Sequence, residues 1–152
     1  MPTIVREGVK LAYEDRGAGE PAFVFVHGWT CDRTFFAPQA AHFARRHRVV
    51  SVDLRGHGDS DKPEGPYPIA AYADDLAHII DHLGLGGVVA VGHSMGGTAV
   101  LQLAAAYPER VAAVVQGWTV GSAHFSQLEV PDQVNAMIEG FMHHYVPKEA
   151  TP

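Results

Sequence analysis

Cysteine is almost missing from this chain. Cys31 stands alone among 152 residues, so no internal disulfide can brace the fold, and the expected compartment is the reducing cytoplasm. Positive charge is also scarce. Eleven Lys and Arg face seventeen Asp and Glu for a net charge of −6, and no run of consecutive basic residues exceeds the pair Arg45-Arg46. That composition excludes the electrostatic footprint of a nucleic-acid binder. No apolar run approaches the roughly 18 residues of a membrane span. The opening MPTIVREG has neither a basic start followed by an apolar stretch nor a lipidation signature, so a soluble protein with no membrane partner is expected. What remains is 47% hydrophobic and 18% charged, with sixteen glycines and ten prolines, the composition of a folded globular chain. One domain over residues 1–152 is expected. A domain of this size buries roughly 70% of the surface its unfolded chain exposes.

IVREG and VKLAYEDRG alternate apolar and polar residues about Gly8, which predicts a two-stranded hairpin near 3–7 and 9–15. PAFVFVHG, RRHRVVSVDLRG and GGVVAVGHS are short, nearly continuous apolar runs rich in Val. That is the pattern of strands buried on both faces of a parallel sheet. Between and after them lie the helical stretches APQAAHFARR, AAYADDLAHIIDHLGL and MGGTAVLQLAAAYPE, then a further strand in RVAAVVQGW. PDQVNAMIEGFMHHY reads as a last helix with Pro131 in its first turn. Strand and helix alternate, which predicts an α/β three-layer sandwich with a mostly parallel sheet. Right-handed crossovers gather the loops that follow the strands at one sheet edge.

Gly92-His93-Ser94-Met95-Gly96 matches GxSxG, and it stands directly after VVAV and at the start of a helix. A strand that reverses sharply there holds Ser94 in a strained conformation with its hydroxyl exposed, and needs small residues on either side. Serine is a weak nucleophile without a base. Among ten histidines, His27, His57 and His93 belong to turns, and His42, His47, His78, His82, His143 and His144 sit on or beside helices. His124 follows a strand among Gly121, Ser122 and Ala123, and is the expected base. The oxyanion of a tetrahedral intermediate needs N–H donors. The expected pair is Met95, just after the serine, and Trp29, in the loop HGW after FVFV. His78 and His82 share a helix face, and His143 and His144 are adjacent, but neither pair has a third ligand, so no metal is expected; GLGG precedes its strand and is no dinucleotide fingerprint, so no cofactor is expected.

With FVFVHGW, VVSVDLRGHGDSDKP, VVAVGHSMGG and YPERVAAVV in order, residues 3–115 resemble the α/β-hydrolase superfamily, in its esterase, lactonase, C–C hydrolase and haloperoxidase branches. VGSAHFSQLEVPDQVNAMIEGF resembles that family's final histidine loop and terminal helix. The resemblance implies Ser94 as nucleophile and His124 as base, in a truncated, lidless fold without a cap domain. Residues 1–115 would form the core, and residues 116–152 the histidine loop and last helix. The family's triad acid has no position between them. Glu129, five residues past His124, is one candidate to orient the imidazole. Asp53, Asp59, Asp61, Gln116 and a backbone carbonyl stay open beside it. The expected activity is hydrolysis of small carboxylic esters or lactones. A hydrolase-derived binding protein or weakly active remnant, and a perhydrolase or haloperoxidase, are the alternatives. The apolar strand VAAVV, at an edge the resemblance leaves uncovered, predicts a homodimer or higher homo-oligomer.

Overall fold

The computed structural model describes residues 1–116, 128 and 130–145, with His144 and Tyr145 described by their backbone alone. The first two strands, β1 (Thr3–Arg6) and β2 (Val9–Arg16), form the expected hairpin. Glu7 and Gly8 close it with φ of 50° and 79°, a turn whose twist matches that of the strands it joins. β2 then pairs antiparallel with β4 (Val49–Val52), Tyr13 opposite Val52 and Arg16 opposite Val49. Beyond it β4, β3 (Phe23–Val26), β5 (Val88–Gly92) and β6 (Val111–Gln116) run parallel. The sheet order is β1-β2-β4-β3-β5-β6.

Every residue of β3, β4 and β5 is buried, because helices cover both sheet faces and the strands have no polar side to show. Alternation divides their side chains between two cores. Val24, Val26, Val50, Val52, Val88 and Ala90 pack with α2 (Ile69–His82) and α3 (Met95–Ala106). Phe23, Phe25, Val49, Val89 and Val91 pack on the other face with α1 (Ala37–Phe43) and with Ile138 of α4 (Pro131–Tyr145). Phe23 and Phe25 lie against Phe43 and Phe36 with ring centroids 4.6 and 5.1 Å apart. A hydrogen bond from His42 Nε2 to Glu139 Oε1, 2.7 Å, links α1 to α4 at the surface. The last described helix therefore lies beside the first.

Helices α1 to α3 are shorter than the sequence reading, α2 ending at His82 and α3 at Ala106, and the clearest differences lie around α1. A 3-10 turn, Arg33–Phe36, precedes α1, started by Asp32, whose carboxylate accepts the N–H of Thr34 at 2.8 Å. α1 itself stops at Phe43 rather than Arg46. The N–H groups of Arg46 and His47 both fold back to the Phe43 carbonyl, and Arg48 N–H crosses to the carbonyl of Gly19, which starts β4. β6 pairs with β5 alone among the described residues, with an irregularity at Ala112, and is only half-buried. No helix of the described residues is long and apolar enough to cross a membrane.

Candidate active site

The loops after β3, β4 and β5 meet at one edge of the parallel sheet. Ser94 sits at the last of these reversals with φ 52° and ψ −117°, between the end of β5 and the first residue of α3. A non-glycine residue held there costs about 1–3 kcal/mol, which the surrounding contacts must offset. Those contacts explain the spacing of the glycines. A Cβ at Gly92 would lie 2.5 Å from the Gly96 carbonyl oxygen, and one at Gly96 only 2.3 Å from that of Val26. β5, α3 and β3 thus touch backbone to backbone around the serine, and the half-buried Ser94 is carried at the tip.

The loop after β3 closes on the same point. A Cβ at Gly28 would meet His93 Nδ1 at 2.7 Å and Ser94 Cβ at 3.2 Å, so only glycine lets residues 28 and 29 approach the serine. The indole of Trp29 is not a buried anchor: it is 73% exposed. Among the described residues, neither Trp29 N–H nor Met95 N–H donates to a backbone carbonyl. Of these two donors, one follows Gly28 on the β3 loop and the other follows Ser94 at the N-terminus of α3, where the helix dipole favours negative charge. His93 is buried and packs against Phe35 with ring centroids 4.7 Å apart, as expected of a residue inside the turn.

Sequence reasoning placed His27 in a turn and gave it no further role. The structure buries it completely and bonds both its ring nitrogens: Nδ1 lies 2.7 Å from the Gly28 carbonyl oxygen, and Nε2 accepts the N–H of Leu54 at 3.1 Å. Loss of solvent holds its pKa below the ordinary histidine value.

Of the alternative acids, Asp53 is buried at the end of β4 with its oxygens committed. It accepts the backbone N–H of Arg33 at 2.6 Å and that of Asp59 at 2.9 Å, and it forms an ion pair with the Arg33 guanidinium. Gly58, with φ 49°, brings its backbone where a Cβ would lie 2.3 Å from that carboxylate. Asp59 pairs with Arg33 at 2.9 Å, and Asp61 accepts the N–H of Lys10 at 2.8 Å. These three carboxylates fasten the loop after β4. Gln116, at the end of β6, lies over the first turn of α3, where a Cβ on Gly97 would come within 2.5 Å of its Nε2. His124 and Glu129 lie outside the described residues. His78 Nε2 bonds to the Val5 carbonyl at 3.1 Å on the helix surface, and among the described residues no group of three or more His, Cys, Asp or Glu could hold a metal ion.

A parallel sheet with antiparallel entry strands, and a serine in a strained strand-to-helix reversal beside a glycine-bearing loop, define a class of α/β enzyme scaffolds. A family model for the alpha/beta hydrolase fold matches residues 21–139, and the chain belongs to that family. Over 107 residues, 70% of this chain and 38% of the relative, it is 40% identical to 2-(acetamidomethylene)succinate hydrolase of Mesorhizobium japonicum. It is 38% identical over 105 residues, 68% of this chain and 38% of the relative, to the bifunctional esterase/perhydrolase DCH of Acinetobacter calcoaceticus. The solved structure of Est816, an N-acyl homoserine lactone degrading enzyme, superposes with a TM-score of 0.75 at 28% identity, covering 92% of this chain and 65% of that one. The chain thus spans well under half the length of these two curated relatives.

Proposed function

We propose that this chain is a serine hydrolase of small carboxylic esters or lactones. One observation carries the reading: Ser94 is held at φ 52° at the strand-to-helix reversal against which the Gly28 loop closes, and this supports the backbone N–H groups of Trp29 and Met95 as its oxyanion donors. An energetically costly conformation at a residue of catalytic type, at the N-terminus of a helix and beside a glycine-bearing loop, suits acyl transfer. Ser94 Oγ attacks the substrate carbonyl carbon while His124 takes its proton. The carbonyl oxygen becomes the oxyanion and accepts from Trp29 and Met95. The carbon–oxygen bond to the alcohol then breaks, the alcohol leaves with the proton from His124, and water repeats the sequence on the acyl-enzyme. Glu129 is the proposed carboxylate that orients His124.

The names of an esterase/perhydrolase and of a lactone-degrading enzyme among the similar proteins support this substrate class. The first of them also supports a second reading, perhydrolysis, in which peroxide replaces water as the acyl acceptor. The same reading makes the substrate a small molecule, calls for no cofactor, and places the chain in the cytoplasm as a homodimer.

The test is stopped-flow release of 4-nitrophenol from 4-nitrophenyl acetate by wild type and Ser94→Ala. A burst that matches the enzyme concentration and vanishes in Ser94→Ala supports the acyl-enzyme. Its absence in the wild type removes the reading, and peroxide-dependent peracid formation would select the second one.

A further inference from the structure

We infer that His27 is a positioning residue for the oxyanion-binding peptide, acting as a neutral imidazole that fixes the Gly28–Trp29 peptide plane. The inference rests on the proposed reading of Trp29 N–H as an oxyanion donor.

The tautomer follows from the partners. A carbonyl can only accept, so Nδ1, 2.7 Å from the Gly28 oxygen, carries the hydrogen. The Leu54 N–H can only donate, so Nε2, 3.1 Å away, is bare. Both bonds are satisfied by one neutral form alone. A protonated ring would turn an N–H of Nε2 against the N–H of Leu54 in a fully buried place.

The peptide bond is planar and trans, so a carbonyl and the N–H that follows it point in opposite directions. By holding the Gly28 oxygen, His27 fixes where Trp29 N–H points. The Cys31 N–H donates to the same oxygen at 3.3 Å and closes the turn around it, with Thr30 at φ 61°. Of the two donors, His27 gives the shorter bond and is the one also bonded to the core residue Leu54. Through Leu54, a buried core residue two past the end of β4, it ties the loop after β3 to the loop after β4, so the aim of Trp29 N–H is set by two packed loops rather than by one. The titratable groups around the ring are His57, with ring centroids 5.2 Å apart, Asp53, already committed to Arg33, and Asp32, which caps the 3-10 turn.

Two substitutions separate the two bonds. The amide of Asn reaches the place of Nδ1 and can donate to the Gly28 carbonyl, whereas that of Gln reaches the place of Nε2 and can accept from Leu54. His27→Gln should lower kcat on 4-nitrophenyl acetate at least tenfold, toward the factor of about a hundred that follows loss of one oxyanion donor. KM should hardly move, because the oxyanion exists only in the transition state. His27→Asn should keep most of the kcat. Wild-type kcat in His27→Gln, or an equal loss in both variants, overturns the assignment. A second measurement does not depend on the variants folding: nitrogen-15 shifts of the wild-type imidazole should show Nδ1 protonated and Nε2 bare at pH 7. The opposite tautomer overturns it as well. If wild type shows no Ser94-dependent burst while the tautomer is as stated, the proposed function fails and the anchoring of the loop stands.

Discussion

Gly96, in the first turn of α3, lies directly against Val26 at the end of β3. A Cβ added there would sit 2.3 Å from the Val26 carbonyl oxygen and 2.4 Å from that of His27. Backbone atoms of a central strand cannot step aside. Gly96→Ala should therefore lose about 2 kcal/mol or more, as overpacking of a close core contact does. At Gly97 the obstacle is the end of the Gln116 side chain, 2.5 Å away, which can rotate. Gly97→Ala should cost far less, and urea denaturation of the two variants side by side measures the difference.

The parallel strands and their helices were legible because the signal is local. FVFV, VVSV and VVAV have no polar side, and the stripe of Leu76, Ile79 and Ile80 repeats at helical spacing. The serine reversal was legible for the same reason, since five consecutive residues specify it. The role of His27 was not, because its partners are Gly28 and a residue 27 positions away. The same holds for Asp53, which Arg33 reaches from 20 residues upstream. Periodicity carries no information on such pairs. α1 was read three residues too long because HFARR keeps helix-forming residues after Phe43, while the turn at Gly17 and Gly19 that meets its end lies far back in the chain.

Removing the Arg33 side chain should expose how the loop after β4 is held. The Asp53 carboxyl is 0% exposed, and its ion pair with Arg33 is the only one it makes among the described residues. A buried charge that loses its partner costs about 3–5 kcal/mol. Arg33→Met should come near the lower figure, about 3 kcal/mol, since two backbone N–H donors still reach Asp53. Adding Asp53→Asn should recover part of the loss. A double-mutant cycle by chemical denaturation checks both.

The depressed pKa of His27 gives stability a definite pH dependence. The unfolded chain takes up this proton at the ordinary histidine value of about 6.5, and the native protein takes it up only at lower pH. Between those two values the unfolded state binds more protons, so stability falls as pH falls. The contribution is complete above pH of about 6.5 and is lost progressively below it. Urea midpoints at pH 7.5 and 5.5 should differ more in wild type than in His27→Asn, which has no proton to take up at this site.

Ser94 should trade stability for function. At φ 52° the Cβ is what strains the backbone, and Ala keeps that atom whereas Gly does not. Ser94→Gly should be more stable than Ser94→Ala by about 1 kcal/mol, less whatever glycine gives back in unfolded-state entropy. Both should lose the 4-nitrophenol burst. Thermal unfolding of the pair tests the strain independently of any substrate, and equal stabilities would show that the reversal is relaxed.

The last prediction concerns the sheet edge at β6. Among the described residues this strand pairs with β5 alone and none of its residues is fully buried, and we propose that its outer N–H and C=O groups receive another strand. The expected partner is a second copy of this chain, since a twofold pairing of one edge with itself needs a single self-complementary patch. The position for the test matters. Val114 packs partly into the core shared by α2 and α3, so a charge there would damage the fold as well as the edge. Ala112 is exposed at the irregular point of the strand, and a lysine there adds edge charge without entering the core. Light scattering coupled to size exclusion should give a dimer for wild type that dissociates on dilution, and a monomer for Ala112→Lys with an unchanged melting profile at low concentration. A wild type that stays monomeric at every concentration rules out the pairing.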